Sequence, residues 1–316
     1  MSILPIATGV LATVLPDIGT PRDLDNIKPV MKQLHMLCLI LGILLAQPGN
    51  TRDVETTEII TLPIGMYSAS FVPRPLAFNN GSCPNIHHTH IGHNQIVAEL
   101  LILCRALELG GLKPAFEFNN TPDYLRIIHD SANSVTLMPG FIVWKTDINP
   151  DLFYISDPVL KEKEFVKGIY TVPDNKKLLS IKHADELKHY AITTNQNWIH
   201  DNAEITCITP KIITAASNPH LMARMIVAKR ADFMLFPFFN SSDLNGSFND
   251  INLVPLQGMK VAFNESLHFI VSKKHPKGLV VYEALQKGLK ELHTNGTLRY
   301  IYEKTGFFQP TGKRLD

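Results

Sequence analysis

Tryptophan occurs only twice and cysteine four times in the 316 residues, and neither sign of charge prevails. Thirty Lys and Arg stand against 29 Asp and Glu, for a formal net charge of +1. The chain therefore lacks the clustered basic face that nucleic acid demands, and no nucleic-acid partner is expected. No long single-sign run occurs; Lys161-Glu162-Lys163-Glu164 alternates and reads as a solvated edge. No apolar run reaches the ~20 residues of a membrane-spanning helix. Also missing are Gly-x-Ser-x-Gly, His-Glu-x-x-His and any paired-carboxylate motif, which removes the commonest hydrolase signatures. What remains is ordinary globular composition, 45% hydrophobic and 19% charged.

The most informative stretch is residues 31–47, Met-Lys-Gln-Leu-His-Met-Leu-Cys-Leu-Ile-Leu-Gly-Ile-Leu-Leu-Ala-Gln. Lys32 supplies a positive start, residues 34–45 an apolar middle, and Ala46 a small residue before the polar Gln47-Pro48-Gly49-Asn50. That is export-signal architecture. Residues 1–30 then read as an extension from an upstream start, 31–46 as the signal, and the working protein as beginning near Gln47. Cys38 lacks the small-residue context of a lipoprotein cleavage site. A soluble protein outside the cytosol is expected, of roughly 270 residues, enough for one large or two smaller domains. Cys83, Cys104 and Cys207 lie beyond the signal. Their spacing fits no zinc motif; at most one bridge can form, and buried or free thiols are the expectation. Asn80-Gly81-Ser82 and Asn264-Glu265-Ser266 match the glycosylation triplet, which has meaning only in a eukaryotic secretory pathway.

Strand and helix signals alternate beyond the signal. Residues 59–67 are β-rich. Residues 94–109 place Ile96, Val97, Leu100, Leu101, Cys104 and Leu107 on one helical stripe that Gly110-Gly111 stops. Residues 114–118 follow as a strand. Thr121-Pro122-Asp123 gives an N-cap, a proline and an acid opening a helix to Ser131, before a strand at 135–138. This β-α-β-α-β order favours a parallel sheet covered by helices. A second unit repeats the style, with a short helix at 184–189 and strands at 190–194 and 205–208. A helix capped by Asn218-Pro219 runs to Lys229, and a strand follows at 232–236. Residues 267–271 are extended, and helices at 279–292 and 297–304 close the chain, with Asn295-Gly296 between them.

In this order, four stretches resemble the extracytoplasmic solute-binding proteins of the polar-amino-acid type that serve ABC importers. Gly92-His93-Asn94-Gln95-Ile96-Val97-Ala98-Glu99-Leu100 is similar to the family's entry into its first helix. Tyr154-Ile155-Ser156-Asp157-Pro158 is similar to the Phe-Ser-x-Pro segment before the crossover. Ala228-Lys229-Arg230-Ala231-Asp232 resembles Gly-Arg-x-Asp, and Asn295-Gly296-Thr297 opens the closing helices. The resemblance spans residues 58–308 and implies an α/β, two-lobed periplasmic-binding-protein-like clamp of type II. Each lobe is then a sheet covered by helices, joined by two crossover segments, with 58–167 plus 267–316 as lobe 1 and 168–266 as lobe 2. Ligand is expected in the cleft at strand C-termini and helix N-termini, with hinge closure around it.

The chain departs from that family where an amino acid would be anchored. Asn149 stands at the position of the carboxylate-binding Arg, and Pro237 at that of the ammonium-binding Asp. Both anchors of a zwitterion are missing, and free α-amino acids are expected to bind weakly. Tyr67, Phe71 and Arg74 follow the first strand, where the family places a stacking aromatic. Arg74 is either a clamp for a carboxylate or phosphate or a solvated surface residue. Trp144 is either cleft wall or core plug. Thr193, Thr194, Asn195 and Gln196 supply neutral donors and acceptors at the family's second ligand loop, or form an ordinary polar turn. This set suits a neutral or anionic polar molecule with a flat or apolar part.

His87, His88, His90 and His93 crowd into seven positions near Cys83. Imidazoles at His87, His88 and His90 are metal-ligand chemistry; a solvated loop is the plainer reading. No cofactor is expected. The leading function is non-enzymatic capture of a small polar solute by a monomer that presents it to a membrane permease. The alternatives are a sensor docking on a signalling partner, and a metal-assisted hydrolase using the 87–93 loop.

Overall fold

The β-rich run after residue 58 and the apolar stripe that follows form the centre of the first lobe. The computed structural model describes residues 58–67, 78–87, 95–121, 123–208, 210–239, 241–305 and 307–308. The extension 1–30, the export signal 31–46, Phe71, Arg74, His88, His90 and His93 lie outside the described residues. β1 (Ile59–Met66) pairs in parallel along its length with β2 (Lys113–Asn120), Ile59 opposite Lys113 and Met66 opposite Asn120. Its other edge pairs with β3 (Met138–Pro139), giving the order β2-β1-β3. Leu62, Ile64 and Met66 are fully buried, as suits the central strand of a sheet covered on both faces.

The parallel crossover is made by α1 (Gln95–Leu109), buried from Val97 to Cys104 without a break. A helix apolar around its circumference needs cover on more than one side. The sheet supplies one cover and α6 (Gly278–Thr294) the other. Close approach is possible because Gly288 and Gly110 lack side chains. A Cβ at Gly288 would collide with the Ala106 carbonyl, and one at Gly110 with the Ala284 backbone. The closing helix α7 (Thr297–Lys304) joins the same core, where Leu100, Phe269, Leu289, Ile301 and Tyr302 are buried together. The next helix, α2 (Tyr124–Ala132), is capped by Asp123, whose carboxylate accepts from the Arg126 N–H at 2.8 Å. The cap thus lies two residues later than Thr121. Antiparallel ladders of β4 (Val143–Trp144) with β12 (Leu267–His268), and of β5 (Phe153–Ile155) with β13 (Ile270–Ser272), bring the returning chain into this lobe.

The second lobe is built on four antiparallel strands in the order 246–248, 251–262, 166–171 and 234–236. β6 (Val166–Thr171) alternates its faces: Ile169 joins Ile192, Phe233 and Leu256 on one side, and Tyr170 joins Met222, Met234 and Leu253 on the other. β9 (Met234–Phe236) and β10 (Gly246–Phe248) flank it and β11 (Ile251–Ala262). β7 (Ala191–Thr194) and β8 (Ile212–Ala215) pair in parallel. Asn218 caps α5 (Pro219–Val227) as expected, accepting from the Leu221 N–H at 2.9 Å. Residues 176–179 form the short helix α3 and 199–208 form α4.

Two corrections follow. Residues 205–208 are the last turn of α4 rather than a strand: Asp201 and Ile205, four apart, share its buried face. Burial on a helical period overrides the β-propensity of Ile and Thr. Cys83 and Cys104 form a disulfide across 21 residues, not buried or free thiols; among the described residues only Cys207 is free, and it is exposed. The bridge ties the loop before α1 to its buried face. Glu108 secures the same loop by accepting from the Cys83 N–H at 2.6 Å, and Arg105 by donating to the Pro84 carbonyl at 3.2 Å.

Gly288→Ala should lower the unfolding free energy by about 1–3 kcal/mol through overpacking, whereas Leu279→Ala at an exposed position should stay within about 0.5 kcal/mol; denaturant titration separates them. The double change Cys83→Ser, Cys104→Ser should cost about 2–4 kcal/mol, read by the same titration with the parent protein run with and without reductant.

Candidate functional site

The C-terminal end of β1, the start of α2 and the first turn of α4 face one another across a cleft of about 540 Å³. Its first-lobe wall is aromatic. Tyr67, just beyond β1, stacks on Phe141 at 4.8 Å between ring centroids, and Phe141 lies against Tyr124 at 5.9 Å. Trp144 is both wall and plug: it lies T-shaped to Phe165 at 5.1 Å, and its face stacks on His200 at 4.5 Å. The second-lobe wall is the polar loop Asn195, Gln196 and Asn197, followed by Trp198.

His200 crosses the cleft. Its Nε2 lies 2.9 Å from Oδ2 of Asp147, in a 3₁₀ turn of the first lobe, and its Nδ1 lies 3.0 Å from Oε2 of Glu265. Carboxylates only accept, so both ring nitrogens must carry hydrogen, and the ring is an imidazolium. Burial opposes that charge, but the hydrogen bond to Asp147 and the Asp147 and Glu265 charges outweigh it and hold the His200 pKa above its usual value. Burial likewise works against Asp147 ionising, yet bonds from His200 and from the Tyr124 hydroxyl at 2.7 Å hold its pKa below the usual range. Beside this latch, Lys167 of β6 pairs with Asp201 of α4 at 2.5 Å, and its ammonium lies 4.8 Å from the Trp198 ring centroid. Both members are buried, so each satisfies a charge that would otherwise be costly.

Glu99 is the other ionisable group in the wall. It is 1% exposed and accepts from Gln95 Nε2 at 2.7 Å and from the Ile142 N–H at 3.2 Å. Burial pushes its pKa up to about 8, with the two hydrogen bonds offsetting part of the rise.

Of the residues expected at the site, Tyr67, Trp144, Asn195 and Gln196 line the cleft. Thr194 is buried beneath it and donates to Asn202 Oδ1 at 3.0 Å. Asn195 shapes the loop, its amide donating to the Ser217 carbonyl and accepting from the Asn197 N–H, both at 2.9 Å. Asn149 is not brought into the lining; it is exposed and accepts from the Asp151 N–H in a turn. His87 is outside the cleft lining, 3.2 Å from the Tyr300 hydroxyl through Nδ1. Sequence reasoning missed Tyr124, Asp147, Lys167, Trp198, His200 and Asp201, and did not treat Glu99 as a site residue. Two signals were present: a lone acid within the apolar run 96–103, and the second tryptophan beside His and Asp at 198–201.

No protein-family model matches the chain, and no curated protein matches it by sequence. Solved structures match by shape. The probable amino-acid ABC transporter extracellular-binding protein ytmK of Bacillus subtilis superposes with a TM-score of 0.52 at 15% identity, over 78% of this chain and 98% of that one. A double mutant of the BvgS VFT2 domain of Bordetella pertussis superposes with a TM-score of 0.51 at 15% identity, over 78% and 92%. This is the two-lobed periplasmic-binding-protein fold.

His200 bridges Asp147 and Glu265 across the cleft. Its contribution is fully present below the ordinary His pKa of ~6.5 and is lost as pH rises through the raised value. Asp147 keeps its contribution as pH falls, until its own lowered pKa is crossed. His200→Ala should therefore cost about 2 kcal/mol at pH 6, and the cost should shrink in alkaline buffer. Thermal unfolding of both proteins across pH 5–9 checks this.

Proposed function

We propose that this protein captures a small polar solute between its lobes, outside the cytosol, and presents it to a membrane partner, an ABC-type permease in the first place. The observation that carries this reading is the cleft itself. Its volume of about 540 Å³ falls within the ~300–1,000 Å³ of small-ligand sites, and its apolar wall carries a few convergent polar groups. The boundary expected at 167 moves to the start of β6 at Val166, so residues 58–165 with 267–316 form one jaw and 166–266 the other, and closure brings His200 onto Asp147 around the bound solute. No step of this function breaks a covalent bond. The Cys83–Cys104 disulfide supports an oxidising compartment, in the same direction as the export signal at 31–46, with the working chain starting near Gln47.

A thermal-shift screen of the chain from Gln47 tests the proposal. A ligand at a hundred times its Kd adds about 2.7 kcal/mol, a shift of several degrees for a protein of this size. Trp144→Ala should abolish the shift while leaving unfolding cooperative. A shift that survives loss of Trp144 places the ligand elsewhere and overturns the assignment.

A further inference from the structure

The charges in the cleft do not pair off evenly. Lys167 is matched by Asp201, and His200 by Asp147 and Glu265. Glu99 and Asp123 also line the cleft, and among the described residues no Lys, Arg or His pairs with either. The two acids act on one place: both raise the pKa of the Tyr67 phenol, after burial itself. Each Glu99 oxygen accepts one hydrogen bond, which leaves lone pairs for a further donor. Beside this carboxyl lies the stacked Tyr67–Phe141 wall, and the electron-rich faces of such rings attract cations.

We infer that the cleft takes a solute bearing a positive charge, an amine, guanidinium or quaternary ammonium, held between the Glu99 carboxyl and the Tyr67 ring. Its flat or apolar body lies along Phe141 and Trp144. This deepens the binding function proposed above and rests on it. It also reverses the neutral or anionic ligand suggested by Tyr67, Arg74, Trp144 and the 194–196 loop in the sequence. An anion would meet two acids at this end of the cleft, and both described cations there already have carboxylate partners. Nor does the described lining offer a free cation to an amino acid's carboxylate, so the charge is recognised without one.

The arrival of the cation has a proton balance. Among the described residues, the titratable groups that face Glu99 are the phenols of Tyr67 and of the buried Tyr302 on α7, neither of them cationic. Burial pushes the Glu99 pKa up to about 8, so at neutral pH the carboxyl holds its proton for much of the time. Binding draws it into the ionised form: the O–H bond breaks, the proton leaves to solvent, and the carboxylate pairs with the ligand charge. Affinity for a permanent cation therefore rises with pH up to about 8 and levels off beyond it.

Calorimetric titration of the chain from Gln47 with agmatine, putrescine and choline, against succinate and glucose, tests the inference. At least one cation should bind, with affinity rising by up to roughly tenfold per unit between pH 6 and pH 8. Glu99→Gln, close in shape, should weaken that cation at least ~30-fold and flatten the pH dependence. The pH profile of the parent protein tests the same point should the variant fold poorly. Binding of succinate or glucose that needs Trp144, with all three cations silent, overturns the charge assignment and leaves the cleft as a binding site. Cation binding untouched by Glu99→Gln and flat with pH overturns the role of Glu99. Silence from every compound, in this panel and in the wider thermal-shift screen, overturns both.

Discussion

α1 is clamped between the parallel sheet and α6, and the acid among its apolar residues, Glu99, is buried and lines the cleft. Glu99 is held there by Gln95 one turn earlier and by the Ile142 N–H of the loop after β3. The sheet fixes Tyr67 at the end of β1, the β3–β4 loop sets Phe141 against it, and the Cys83–Cys104 bridge pins the entering chain to the buried face. The close approach of α6 at Gly288 and Gly110 is what seals the opposite side. A side chain at either glycine would push the two helices apart and disturb the seat of the carboxyl.

His200 of α4 meets this wall through charge and through ring stacking. His200 cannot be neutral between two carboxylates at hydrogen-bond distance, and its ring finds further support on the face of Trp144. Lys167 and Asp201 play a different part: both are buried within the second lobe's side of the cleft and set the position of Trp198. In the proposed cation site the aromatic rings supply area, and the acids supply the sign of the charge to be bound.

Much of the scaffold was legible in the residues. β1, α1, β2, α5 and the two closing helices follow from apolar periodicity and from the caps and stops at Gly110-Gly111, Asn218-Pro219 and Asn295-Gly296, which act within a few residues of chain. β11 was not legible, although it is the longest strand at twelve residues. Asn252, Pro255 and Gly258 break its alternation, and the register shift between Pro255 and Lys260 accommodates them. Residues 205–208 misled because isoleucine and threonine favour strands when nothing else decides.

The candidate site divides the same way. The sequence by itself determined that Tyr67 follows the first strand, that a polar loop stands at 193–196, and that an acid interrupts the apolar stripe of α1; these are local facts of order and spacing. Only the tertiary structure decided that Asn149 turns away, that His200 meets Asp147 fifty-three residues earlier and Glu265 sixty-five later, and that Glu99 lacks a cation among the described residues. The reason is physical. Periodicity reports which face of an element avoids water, whereas the pairing of charges depends on distances between elements that no local pattern records.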